Sequence, residues 1–160
     1  MEYNSGTSAL HASLIAYGFG PNDEVIVPSF SFISTANSVL FVGAKPTFAD
    51  IEETTFGLDT NSIKSKINKN TKCIIPMDYG GMSCNIFEIK EVARKNNLVL
   101  IDDSAESLGS SVNGKKIGSI ADLSIFSFCG NKVLTTGEGG AIVTDSKEIY
   151  EKIKLIRSHP

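Results

Sequence analysis

Four short stretches of this chain carry reactive or hydroxyl side chains, three of them together with glycines. In Gly130-Asn131-Lys132 a lysine lies in a loop between two apolar runs, Leu123–Phe128 and Gly140–Asp145. A lysine amine that is desolvated there, beside other cations, becomes a nucleophile toward carbonyl carbon. The same residue also reads as a plain solvated lysine. Asp102-Asp103 closes the apolar run Leu98–Ile101. A carboxylate at such a strand end suits a protonated ring nitrogen in a bound aromatic group, but it also suits a helix cap or a metal. Ser5-Gly6-Thr7-Ser8 stands where a helix begins. Backbone N–H groups and the positive helix end can receive an anion there, and Ser or Thr equally serves as an ordinary cap. Thr135-Thr136-Gly137-Glu138-Gly139-Gly140 reads as a phosphate cradle or as a turn. No Gly-x-Gly-x-x-Gly follows a strand, so the dinucleotide fingerprint is absent.

These groups must be positioned by the elements around them. Helical apolar spacing runs over residues 7–18, with Ser5 or Thr7 as cap and Gly18 as stop. Residues 31–42, 60–68 and 85–96 and a stretch from about Lys147 to Arg157 also read as helices. Strands are expected at 24–28, 46–51, 71–77, 98–103, 123–128 and 140–145. Strands separated by helices imply βαβ units, a mostly parallel sheet and helices on both faces, an α-β-α sandwich. Ligands bind such sheets at the carboxyl ends of the strands. Asp102 and Asp103, then Ser127, Asn131 and Lys132, then Phe30, Ser31 and Phe32 all fall there.

The chain has 160 residues, 41% hydrophobic and 21% charged, enough for one domain with a real core. Its net charge of −3 argues against a nucleic-acid partner. Lys64, Lys66, Lys69 and Lys72 form a basic stretch that reads as a solvated helix face. The three cysteines fit no zinc spacing, and no metal is expected. Free thiols, no export signal at Met1–Ser5 and no apolar run long enough for a bilayer make a cytoplasmic protein without a membrane partner the expectation.

Several of these segments, taken together and in order, resemble the DegT/DnrJ/StrS family of sugar aminotransferases. The segments are Ser5–His11, Gly20–Phe30, Gly43–Ile51, Asp102–Gly109, Phe126–Lys132 and Thr135–Gly140. They cover essentially the whole chain in one collinear order. The resemblance implies the large domain of a fold-type I, pyridoxal 5'-phosphate-dependent transferase, working as a homodimer. It implies that Lys132 carries the cofactor as a Schiff base and shuttles a proton. By the same resemblance Asp103 binds the pyridinium nitrogen, and Gly6, Thr7, Ser8 and Ser127 hold the phosphate. Phe32 would stack on the ring, and Glu106 would stand near the phenolic oxygen. Many members have Gln at that last position. Glu106 and the Gly-Asn-Lys triplet resemble the perosamine-synthase-like branch. The implied reaction moves an amino group from glutamate to a keto group of a nucleotide-linked, 4-keto-6-deoxy sugar, in polysaccharide or lipopolysaccharide biosynthesis.

Family members are usually more than twice as long, so residues 1–160 are expected to be an incomplete large domain lacking the small domain. Two rival expectations remain. A sugar 3-dehydratase of the same family would carry histidine in place of Lys132. A truncated member could be non-catalytic or regulatory.

Overall fold

The computed structural model describes residues 1–158. In chain order the elements are β1 (Glu2–Tyr3), α1 (Gly6–Tyr17), β2 (Glu24–Pro28), α2 (Ser34–Phe41), β3 (Lys45–Ala49), α3 (Thr60–Lys66) and β4 (Thr71–Ile74). There follow α4 (Ile86–Lys95), β5 (Val99–Asp103), the short strands β6 (Ser111–Val112) and β7 (Lys115–Lys116), then β8 (Leu123–Ser127), β9 (Gly140–Val143) and α5 (Lys147–Ser158). A 3-10 turn at Tyr79–Gly81 follows β4.

Seven strands form one sheet in the order β1-β9-β8-β5-β4-β2-β3. The run β3, β2, β4, β5 and β8 is parallel throughout. β9 runs antiparallel between β8 and β1. The mostly parallel sandwich expected from the sequence is therefore the fold.

The period of two in each strand divides the core. Val25 and Val27 of β2, Ile101 of β5 and Leu123 and Ile125 of β8 share one cluster with Leu10 and Leu14 of α1, Val39 of α2 and Ile149 and Ile153 of α5. Ile26, Ile74 and Leu100 face the other way, into a cluster with Ile63 of α3 and Ile86, Ile89 and Val92 of α4. Alternating side chains on a pleated strand serve two layers, so these continuous apolar runs mark strands covered on both faces.

Helix α1 is closed at both ends as its sequence demands. Ser5 accepts the Ser8 amide at 3.1 Å, and Gly18 adopts φ 78° to cap the last turn. Two expectations need correction. Helix α2 starts at Ser34 rather than residue 31, because the Ser31 hydroxyl bonds the Thr35 hydroxyl at 2.8 Å and approaches the Met77 sulfur. This side-chain pairing replaces a first helical turn. Strand β4 ends at Ile74, since Pro76 has no N–H for the ladder. The edge strand β1 and the β6–β7 hairpin are too short to leave a periodic signal in the sequence.

Candidate active site

The site is assembled at the carboxyl ends of β5 and β8 and the N-terminus of α1. Because Ile101 faces the α1 layer, the period of two sends Asp103 to that layer and Asp102 to the opposite one. The same alternation from Leu123 and Ile125 places Ser127 against α1. Gly140 lies opposite Ser127 across β8 and β9. A β-carbon on Gly140 would stand 2.3 Å from the Ser5 carbonyl oxygen and 2.7 Å from the Gly6 nitrogen, so only glycine lets the helix end approach the strand. A β-carbon on Gly6 would meet that of Ser127 at 3.0 Å.

Between these parts lies a cleft of about 430 Å³, lined by Gly6, Thr7, Phe32, Glu106, Ser127 and Lys132 among others. Its size is that of a small-molecule site. A more open hollow of about 620 Å³, lined by Tyr17, Asp122 and Asp145, lies at the amino ends of β5 and β8. We place the chemistry in the smaller cleft, at the carboxyl ends, where open α/β sheets bind ligands.

Several polar groups in the cleft hold it together. The Lys132 amine donates to Glu106 Oε1 at 3.0 Å, with side chains 14% and 27% exposed. Glu106 Oε2 accepts the Gly80 amide at 2.7 Å. Partial burial opposes ionisation of Glu106, but the Gly80 amide and the Lys132 charge together hold its carboxyl below the usual range. The Thr7 and Ser34 hydroxyls bond at 2.7 Å, tying the starts of α1 and α2 together. Ser127 Oγ accepts the Cys129 amide at 3.4 Å and keeps its own proton for another acceptor. The amides of Gly6 and Thr7 have no acceptor among the described residues, as expected for the first turn of a helix.

Asp103 lies under the cleft rather than on its wall. Its Oδ2 accepts the Thr35 hydroxyl at 2.8 Å, and Oδ1 accepts the Ala105 amide at 3.3 Å. Burial pushes its carboxyl up to about 6, against the lowering pull of Thr35, Ala105 and the Lys132 charge. Asp102 is buried on the other face, where Ser104 donates to Oδ2 at 2.9 Å and Oδ1 has no partner. Asp78 and Cys84 accompany it, with candidate ligand atoms within 4.8 Å of one another. Burial, and for Asp102 also the neighbouring Asp78 charge, raises both acids above the usual carboxylate range.

Lys132, Glu106, Ser127, Gly6, Thr7 and Phe32 are thus brought into one cleft. Ser8 stands aside, with its hydroxyl 3.0 Å from that of Ser5. Ser34 and Thr35 also belong to the site or its support, and neither was singled out from the sequence, whereas Cys129 and Glu138 lay within stretches that were. Hydroxyl residues inside a helix carry no mark of what they touch. The Thr135–Gly140 stretch acts as a turn: Phe128 and Gly139 bond across it at 2.8 Å, closing the loop that carries Lys132.

The model of the DegT/DnrJ/EryC1/StrS aminotransferase family matches residues 1–160. The chain belongs to that family. It is 47% identical over 154 residues to the GDP-perosamine synthase of Caulobacter vibrioides, covering 96% of this chain and 42% of the relative. It is 45% identical over 159 residues to the UDP-4-amino-4,6-dideoxy-N-acetyl-beta-L-altrosamine transaminase of Campylobacter jejuni, covering 98% and 42%. Among solved structures, an aminotransferase from Psychrobacter cryohalolentis superposes with TM-score 0.97 at 35% identity, covering 99% of this chain and 40% of that one. The PLP-form of Spr1654 from Streptococcus pneumoniae gives TM-score 0.94 at 33% identity, covering 99% and 46%. The chain therefore spans roughly two fifths of the length of these relatives, and its architecture is that of fold-type I aminotransferases.

Proposed function

We propose that this DegT-family chain is the cofactor-binding large-domain core of a pyridoxal-phosphate-dependent aminotransferase acting on a nucleotide-linked sugar. The observation that carries the reading is the convergence of Lys132, Glu106 and Ser127 with the unpaired Gly6 and Thr7 amides in one cleft.

The residues fit the cofactor. The free amides at the start of α1 and the available Ser127 proton suit a phosphate. The buried Asp103 carboxylate suits a protonated ring nitrogen, which restores the charge balance that burial disfavours. The Lys132 amine, largely shielded from water, is placed as the carbonyl-directed nucleophile. Phe32 reaches the cleft from the loop before α2 and offers a ring face.

When bound, pyridoxal phosphate supplies an electrophilic carbonyl and a ring that takes up an electron pair. The chain's own residues do the rest. Asp103 holds a proton on the ring nitrogen, and Thr35 fixes the carboxylate that does so. The start of α1 and Ser127 anchor the anionic tail and so fix orientation. Lys132 then moves a proton at the substrate carbon as a general acid–base. Glu106 holds the amine whenever it is protonated.

The family and the names of the relatives support a nucleotide-linked sugar as acceptor, with a 4-keto-6-deoxyhexose the form we favour and glutamate the donor. We further propose a homodimer and a reducing, cytoplasmic setting, which suits three free cysteines. No helix among the described residues is long and apolar enough to cross a membrane. A lysine at position 132 speaks against the dehydratase alternative.

The deciding experiment loads the natural protein with pyridoxal phosphate and records the visible spectrum. A band from the lysine-bound cofactor is expected, absent in Lys132→Ala, together with glutamate-dependent amination of the keto sugar detected by mass spectrometry. A colourless natural protein overturns the assignment.

A further inference from the structure

Three aromatic rings at the carboxyl ends of neighbouring strands are not used by the chemistry above. Phe30 follows β2, Phe56 follows β3, and Tyr79 lies in the turn after β4. The Phe30 and Tyr79 rings are 4.4 Å apart at 43°, and the Phe30 and Phe56 rings 6.3 Å apart at 58°. All three remain open to solvent, at 42%, 48% and 38% exposure. Single exposed aromatics are ordinary, but a contiguous group marks a binding surface.

Phe56 is also held in an unusual backbone conformation, with φ 57°. A bulky side chain avoids that region. The loop enforces it: Glu52 accepts the Thr54 and Thr55 amides at 2.7 Å each, and the Phe56 amide bonds the Glu52 carbonyl at 3.2 Å. Burial of the ring does not repay this strain, because half of it stays in water. The loop instead presents the ring beside Phe30.

The group adjoins the cleft. Gly80, next to Tyr79, donates to Glu106, which grips Lys132, so two hydrogen bonds of 2.7 Å and 3.0 Å join the aromatic turn to the reactive amine. A nucleotide sugar held with its sugar at Lys132 needs a stacking surface for its base some distance away. Tilted, half-open aromatic rings supply one for a planar heterocycle.

We propose that Phe30, Phe56 and Tyr79 form the base-stacking wall of the nucleotide subsite. This rests on the sugar-nucleotide reading given above. The test uses the natural protein loaded with pyridoxal phosphate and titrated with GDP and with UDP, using ribose 5-phosphate as a base-free control. The visible cofactor band serves as the loading check for every variant. Phe30→Leu and Phe56→Leu keep apolar volume but lose the ring, and each should weaken the better-bound nucleotide by roughly tenfold. In the unmodified protein, saturation transfer from aromatic ring protons to the base protons should be seen, which keeps the test open if a variant fails to fold. The subsite is overturned if a coloured protein binds neither nucleotide, shows no transfer to the base, or binds as tightly in both variants. It is equally overturned if the variants convert a dimer to a monomer in light scattering, since the rings would then be a contact between copies. A colourless unmodified protein sinks the enzyme reading itself.

Discussion

Lys132 Nζ lies 3.0 Å from Glu106 Oε1, and the second oxygen of the same carboxylate accepts the Gly80 amide at 2.7 Å. One acidic side chain thus fastens the loop after β8 to the turn after β4. In the function proposed above, the Lys132 nitrogen must leave this pair before it can attack a carbonyl carbon.

Glu106→Gln keeps the side-chain shape and removes the charge. A partly buried pair of this kind is worth about 1 kcal/mol. Capture of pyridoxal phosphate near neutral pH should therefore be about fivefold faster in the variant, read by stopped-flow absorbance. Because the Glu106 carboxyl is held below its ordinary range, wild type should approach the variant only in acid, where Glu106 protonates. Equal rates at neutral pH would show that the pair does not restrain Lys132.

Asp103 makes the opposite pH prediction. Its carboxyl is raised from 3.8 to about 6 in the folded, cofactor-free protein. The unfolded chain therefore releases that proton first as pH rises. The stabilising contribution of the neutral acid is present below about pH 4 and is lost progressively by about pH 6. About two pKa units correspond to about 3 kcal/mol. Asp103→Asn, which carries no titratable proton, should remove that slope in urea denaturation followed across this window. It should also weaken cofactor retention by at least about tenfold, since the ring nitrogen loses its anionic partner.

At Gly140 the relevant neighbours are backbone atoms, which do not swing aside. Gly140→Ala should push the start of α1 away from β9 and cost about 2–3 kcal/mol, typical of overpacking a close backbone approach. Thermal denaturation and cofactor loading should fall together in this variant. Gly114→Ala at the β6–β7 hairpin, where no atom lies within 4 Å, suffers only its positive φ of 75° and should leave cofactor loading unchanged.

The three thiols should separate cleanly. Cys73 and Cys84 are buried, and desolvation raises both far above an ordinary thiol. Cys129 lines the cleft with its sulfur 3.6 Å from Glu138. A disulfide reagent should titrate one thiol in the folded protein and three in denaturant. Bound cofactor should slow the fast one. Three fast thiols in the folded state would contradict the packing of Cys73 and Cys84.

The sequence by itself determined the alternation of strands and helices, the stop of α1 at Gly18 with its cap narrowed to Ser5 or Thr7, and the placement of Lys132, Ser127 and the acid pair at strand ends. These are local matters, governed by periodicity and by capping, and neighbouring residues carry them. The tertiary structure decided what no local rule reaches. It settled which of two adjacent acids faces the α1 layer, since the period of two separates Asp102 from Asp103 but only packing tells which face is which. It brought Thr35 to Asp103, Glu106 to Lys132 and Gly140 to Ser5 across long stretches of chain. Such contacts arise from the order in which strands assemble in the sheet, and a linear pattern of residue types does not encode that order.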